Sequence, residues 1–172
     1  MAQNQTAVSS ALATRSKAAL DAEIAKIRSA ASNAPTSTFA QANQHVQNNS
    51  FAPSACGGTL ETAGFIWWTL SCTGVGTDLS SAYTFSFDAS GGPDWDVSLF
   101  TCEVAGTFVV DPSTISGQAN FTLAIGGVEE GAVVLSLYST DNQTFYGTLV
   151  GLAEGVGGAG LSGSGTLSVS ST

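Results

Sequence analysis

Residues 64–92 read GFIWWTLSCTGVGTDLSSAYTFSFDASGG, and their spacing decides the fold. Tyr83, Phe85 and Phe87 occupy every second position, with Thr84, Ser86 and Asp88 between them. A period of two places the aromatic rings on one face and the polar groups on the other, as in a strand with one buried side. Trp67 alternates with Trp68 in the same way, so the two indoles point to opposite faces of one strand. The apolar runs are bounded by Gly74 to Leu79 and by Ala89 to Asp94, both rich in turn-forming residues.

Working outward, the alternation recurs at Trp95, Val97 and Leu99, at Phe121, Leu123 and Ile125, at Val133, Leu135 and Leu137, and at Phe145, Gly147 and Leu149. Turn chemistry separates these runs at Asp111 to Gly117, Gly126 to Gly131, Ser139 to Gln143 and Gly155 to Gly160. Short strands at this spacing predict an all-β domain from 57 to 172, with about eight antiparallel strands. Closure into a barrel removes polar, lysine-free edges that would otherwise pair with other chains. An internal echo supports two related halves: Val97 to Val109 resembles Leu135 to Val150, and Ser116-Gly117 recurs as Ser162-Gly163.

The N-terminal region has a different period. Residues 6–31 contain no Gly or Pro and place Val8, Leu12, Leu20, Ile24 and Ile27 near one helical stripe. This predicts a helix within 1–33, ended by Asn33 and Pro35. The stripe suits a helix lying against its own barrel, or one that pairs with another copy or docks a partner. From 34 to 56 the chain is mainly Ser, Thr, Asn, Gln, Ala and Pro, which reads as a polar linker.

Charge excludes several function classes. The only basic side chains are Arg15, Lys17, Lys26 and Arg28, all on the helix. The 13 acidic residues less Asp21 and Glu23 leave 11 carboxylates on a stretch, 29–172, without one Lys or Arg. Such a domain cannot neutralise a phosphate backbone, which argues against nucleic acid, and it has no basic patch for anionic lipid. A cationic helix on an acidic barrel allows homo-oligomers in which the helix of one copy docks on the barrel of the next.

Candidate chemistry is sparse. The sole histidine, His45, lies in the linker, is expected to be solvated, and has no histidine partner for a triad or metal site. Cys56, Cys72 and Cys102 are an odd number without CxxC spacing; Cys72 and Cys102 can bridge only if their strands are neighbours. Asp94-Trp95-Asp96 is the sharpest acidic cluster and reads as a solvated strand end rather than a carboxylate pair for glycoside hydrolysis. The glycines from Gly155 to Gly165 lack a following Lys, so they read as a close strand crossing rather than a phosphate loop. No catalytic residue, metal ligand or cofactor site is assigned. The candidate interaction surface comprises Trp67, Trp68 and Trp95 on the barrel and Arg15, Lys17, Lys26 and Arg28 on the helix. One of Trp67 and Trp68 lies outside a filled barrel, covered by helix or linker or touching a partner, lipid or glycan.

The strand signatures resemble the virulence-associated Vap proteins of rhodococci. Gly64, Trp67, Thr69 and Leu70, then Asp78-Leu79, Tyr83 and Ser86-Phe87, are similar to that family's early strands. Val134 to Tyr138, Asp141 to Gln143, Gly147 and Gly157 to Gly165 are similar to its later ones. The resemblance covers about 110 residues and implies a filled eight-stranded barrel of two Greek-key-like halves after a disordered N-terminal region. It also implies a non-enzymatic protein, secreted or delivered to a host, that meets a host protein or lipid membrane. Trp68 departs from the family's usual Gly, residues 1–30 show no secretory signal, and the N-terminal segment reads as helical. Alternative readings are a barrel holding a small apolar ligand and a structural protein assembling through its helix.

Overall fold

The computed structural model describes residues 2–48, 54–64, 67–78, 81–92, 99–126, 131–153 and 159–172. A helix, α1, runs over Ala2–Asn33, and two short helices follow, α2 at Thr38–Ala42 and α3 at Gln44–Gln47. Eight strands complete the chain: β1 Ser54–Gly64, β2 Trp68–Thr77, β3 Ala82–Gly91, β4 Phe100–Phe108, β5 Gly117–Ile125, β6 Ala132–Tyr138, β7 Phe145–Leu152 and β8 Ala159–Ser171.

The strands close into one barrel in the order β1-β2-β3-β8-β5-β6-β7-β4, with every neighbouring pair antiparallel. Read from β4, the first half runs 4-1-2-3 and the second 8-5-6-7. Each is a Greek key, in which the fourth strand returns beside the first. The halves join through β3 with β8 and β7 with β4. Their equivalence therefore pairs β4 with β8 and β2 with β6. The sequence echo instead aligned β4 with β6 and β7, so two halves exist but the echo does not mark them. It reflects the shared Gly, Ser and Thr content of unrelated strand ends.

The interior is filled by side chains. Leu60, Cys72, Phe87, Phe121, Leu135 and Leu149 point inward and are buried. Phe85 meets Phe108 edge-on with ring centroids 5.6 Å apart, and Phe87 meets Phe121 at 5.5 Å. Such pairs add about 0.5–1.5 kcal/mol each beyond their burial.

Two strand boundaries differ from the alternation reading for one reason. Gly74 to Leu79 was expected to be a turn, yet β2 continues to Thr77. A Cβ at Gly74 would lie 2.8 Å from the Phe85 ring, and one at Gly76 would lie 2.2 Å from the Tyr83 ring. These glycines make room for the aromatic core rather than ending a strand. Likewise β1 starts at Ser54, before the expected boundary at 57, and holds Gly57, Gly58 and small residues where periodicity leaves no mark. The strand expected around Trp95 to Leu99 falls largely on 93–98, which lie outside the described residues; the next described strand, β4, starts at Phe100.

The polar linker also departs from expectation, because α2 and α3 form within it. Its few apolar groups are enough: Ala40 and Val46 are buried, and Val46 joins Leu20, Ile24, Ile27, Val109 and Phe145 in a second core. Asn43, fully buried, supplies the polar half of this contact. Its Nδ2 donates to the carbonyls of Phe39 and Gln143, and its Oδ1 accepts from the Phe145 amide at 3.1 Å. A side-chain amide thus satisfies backbone groups that a loop would have left open.

Candidate functional site

Trp68 opens β2 with its indole inward, 7% exposed and edge-on to Phe121 at 5.8 Å. Trp67, one residue earlier, has the opposite parity and is 66% exposed. Its ring borders the position where a Cβ on Gly92 would project, 4.0 Å away. Leu99, 67% exposed, leads into Phe100, which pairs with Thr62 near the end of β1. Gly64 pairs with Trp68 and Trp68 with Gly91, so Trp67 and Leu99 sit at the same end of the barrel. Trp95, also expected on the interaction surface, lies outside the described residues, as do Asp94, Asp96 and the glycines at 155–158. Gly165 does mark a close strand crossing: a Cβ there would lie 2.5 Å from the Asp88 carbonyl oxygen.

Lys17 and Arg28 do not gather with Trp67 and Trp68, since they lie by Ala55 and Cys56, at the other end of β1 from Gly64. Along α1, Lys17 pairs with Asp21 and Lys26 with Glu23, each at 2.6 Å. Arg15, like Lys17, lies toward the N-terminal half of α1, while Arg28 lies near its C-terminal end. Lys17 and Arg28 line a cleft of about 650 Å³ between α1 and the edge of β1 and β4, with Leu20, Ile24 and Ala105 along it.

The helix is held by more than apolar contact. The Ser16 hydroxyl donates to the Ala105 carbonyl. Glu23 accepts from the Tyr138 hydroxyl at 3.1 Å while holding Lys26. Burial, with the Glu23 carboxylate beside it, raises the Tyr138 pKa, so the phenol stays a donor. An acidic residue of the helix therefore takes part in the contact with the barrel. His45, expected to be solvated, is half-buried on α3, and burial lowers its pKa.

Cys56, Cys72 and Cys102 are reduced and buried. Cys72 and Cys102 both pair with Leu60, from opposite sides. Two strand spacings, roughly 10 Å, separate them, beyond the reach of a disulfide. Burial pushes Cys56 and Cys72 up to about 12, so these thiols are protonated and inert at neutral pH.

Sequence reasoning passed over Asn43 and a polar row on the side of the barrel away from α1. Ser71 pairs with Asp88, Asp88 with Thr166, and Thr166 with Gln118, across four adjacent strands. Only the outward positions of alternating strands carried that signal, and they read as solvent-facing. No protein-family model matches the chain, and neither a curated protein nor a solved structure matches it.

Proposed function

We propose that this chain is a non-enzymatic, Vap-like interaction barrel, secreted or delivered to a host, that meets a host surface through the end carrying Trp67 and Leu99. The observation that carries the reading is the exposure of these two large apolar side chains together at one barrel end, outside an interior that is already full. Two Greek keys and a filled core agree with what the Vap resemblance implies, while the docked α1 departs from it. The filled interior weighs against a ligand held inside the barrel, and α1 seated on its own barrel weighs against assembly by helix exchange.

A lipid surface is the first partner to test, because an exposed indole and leucine gain most where apolar groups leave water. Co-sedimentation of the full chain with neutral and with anionic vesicles should show binding to both, with little dependence on salt. The W67S/L99S double variant should weaken it about tenfold, or ~1.4 kcal/mol. Binding unchanged in that variant would remove the Trp67 end as the contact. Binding to neither vesicle would turn the reading toward a protein partner, and turnover of a substrate by the purified chain would overturn it.

A further inference from the structure

We propose that the outer face of β2, β3, β8 and β5 carries a binding site for a neutral glycan. The face holds a depression of about 460 Å³ lined by Thr69, Ser71, Asp88, Ser90, Gln118 and Thr166. That volume lies within the range of small-ligand sites. Its polar groups are set in place by one another: the Ser71 hydroxyl donates to Asp88 Oδ1 at 2.7 Å, and Gln118 Nε2 donates to Thr166 Oγ1 at 2.9 Å. Among the described residues no hydrogen bond uses Asp88 Oδ2 or Gln118 Oε1. These two residues of the lining therefore keep a carboxylate oxygen and an amide oxygen as acceptors, beside hydroxyls that can donate or accept.

Charge selects the ligand class. Among the described residues Asp88 is the only ionic group lining the depression, and the barrel sequence supplies no Lys or Arg to hold a phosphate, sulfate or acidic sugar. A sugar ring offers neutral hydroxyls in the fixed array that a carboxylate, an amide and several hydroxyls can pair with. Its apolar face needs a flat partner, and Trp67 provides one. Thr69 pairs with Ser90, and the exposed Trp67 ring borders Gly92, two residues beyond Ser90. Trp67 thus lies one outward position beyond Thr69, the lining residue nearest that end of β2, on the same parity as Thr69 and Ser71.

The site shares Trp67 with the proposed membrane contact, and Asp88 and Leu99 tell the two apart, because the glycan site uses Asp88 and not Leu99. The test is titration of the full chain with maltose, cellobiose, lactose and mannobiose, followed by amide chemical shifts and tryptophan fluorescence. At least one disaccharide should perturb Ser71, Asp88, Gln118 and Thr166 together and shift Trp67 emission, with millimolar affinity. D88A and W67A should each weaken binding about tenfold. E103A, which removes an exposed carboxylate from β4, should leave it unchanged, as should L99S. No perturbation by any of the four sugars, equal binding by D88A, or binding of glucosamine alone through its ammonium group would overturn the proposal.

Discussion

The two sides of this barrel obey the same strand geometry and end in opposite environments. On β7 the outward Thr148 and Val150 are as buried as the inward Leu149, and α1 packs against this strand. On β3 the outward Thr84, Asp88 and Ser90 face water while Phe85, Phe87 and Ala89 fill the core. Alternation therefore reports one buried face reliably and says nothing of a second layer. The covered side is joined by a few placed groups, while the open side leaves its hydroxyls facing water.

The largest effect separates the sides directly. Phe145, fully buried beneath the helices, sits 5.4 Å from the Tyr138 ring. Phe145→Ala should cost about 3–5 kcal/mol in urea unfolding, as a core truncation does. Thr84→Ala on the open side should stay within about 0.5 kcal/mol. Equal small losses at both positions would mean that the helical layer is not part of the folded unit.

Next in size is the buried amide. Asn43→Ala leaves the Phe145 amide and the Gln143 carbonyl without their partner, at about 1–3 kcal/mol for buried groups. Hydrogen exchange should quicken at Phe145 and over 16–31 of α1, while β3 and β8 keep their protection. Loosening of the whole barrel instead would erase the distinction between the sides.

Alkali and acid should strike different regions. Unfolded thiols ionise from about pH 9, whereas Cys56 and Cys72 stay protonated to about 12. Between those values the folded chain holds more protons, so stability is intact below pH 9 and falls as pH rises, on the order of 1 kcal/mol per thiol by about pH 10. The His45 pKa is lowered from 6.5, so its smaller contribution is present above 6.5 and lost as pH falls, by way of the helical layer. Urea midpoints across pH check both limbs, and His45→Gln should flatten only the acid one.

Much of this architecture was legible because the aromatic alternation at Tyr83, Phe85 and Phe87 marks a buried face, and the long Ala-rich run marks α1. What escaped was carried by residues that leave no period. Gly74 and Gly76 look like a turn until the rings opposite them are known. Asn43 looks like linker until its three hydrogen bonds are counted. The exposed indole was narrowed to Trp67 or Trp68, and their parity fixed that one lies outside; register across three strands was needed to set Leu99 at the same end of the barrel. The row Ser71, Asp88, Thr166 and Gln118 spans residues 71–166, a juxtaposition that only the strand order creates.

The most direct test of the account is a hydrogen-exchange footprint of the full chain with and without neutral vesicles. The account predicts added protection at Trp67 to Thr69 and at Leu99 to Thr101, with α1 and β7 unchanged. Protection confined to α1, or release of α1 from the Phe145 side on binding, would contradict it and place the contact in the helix.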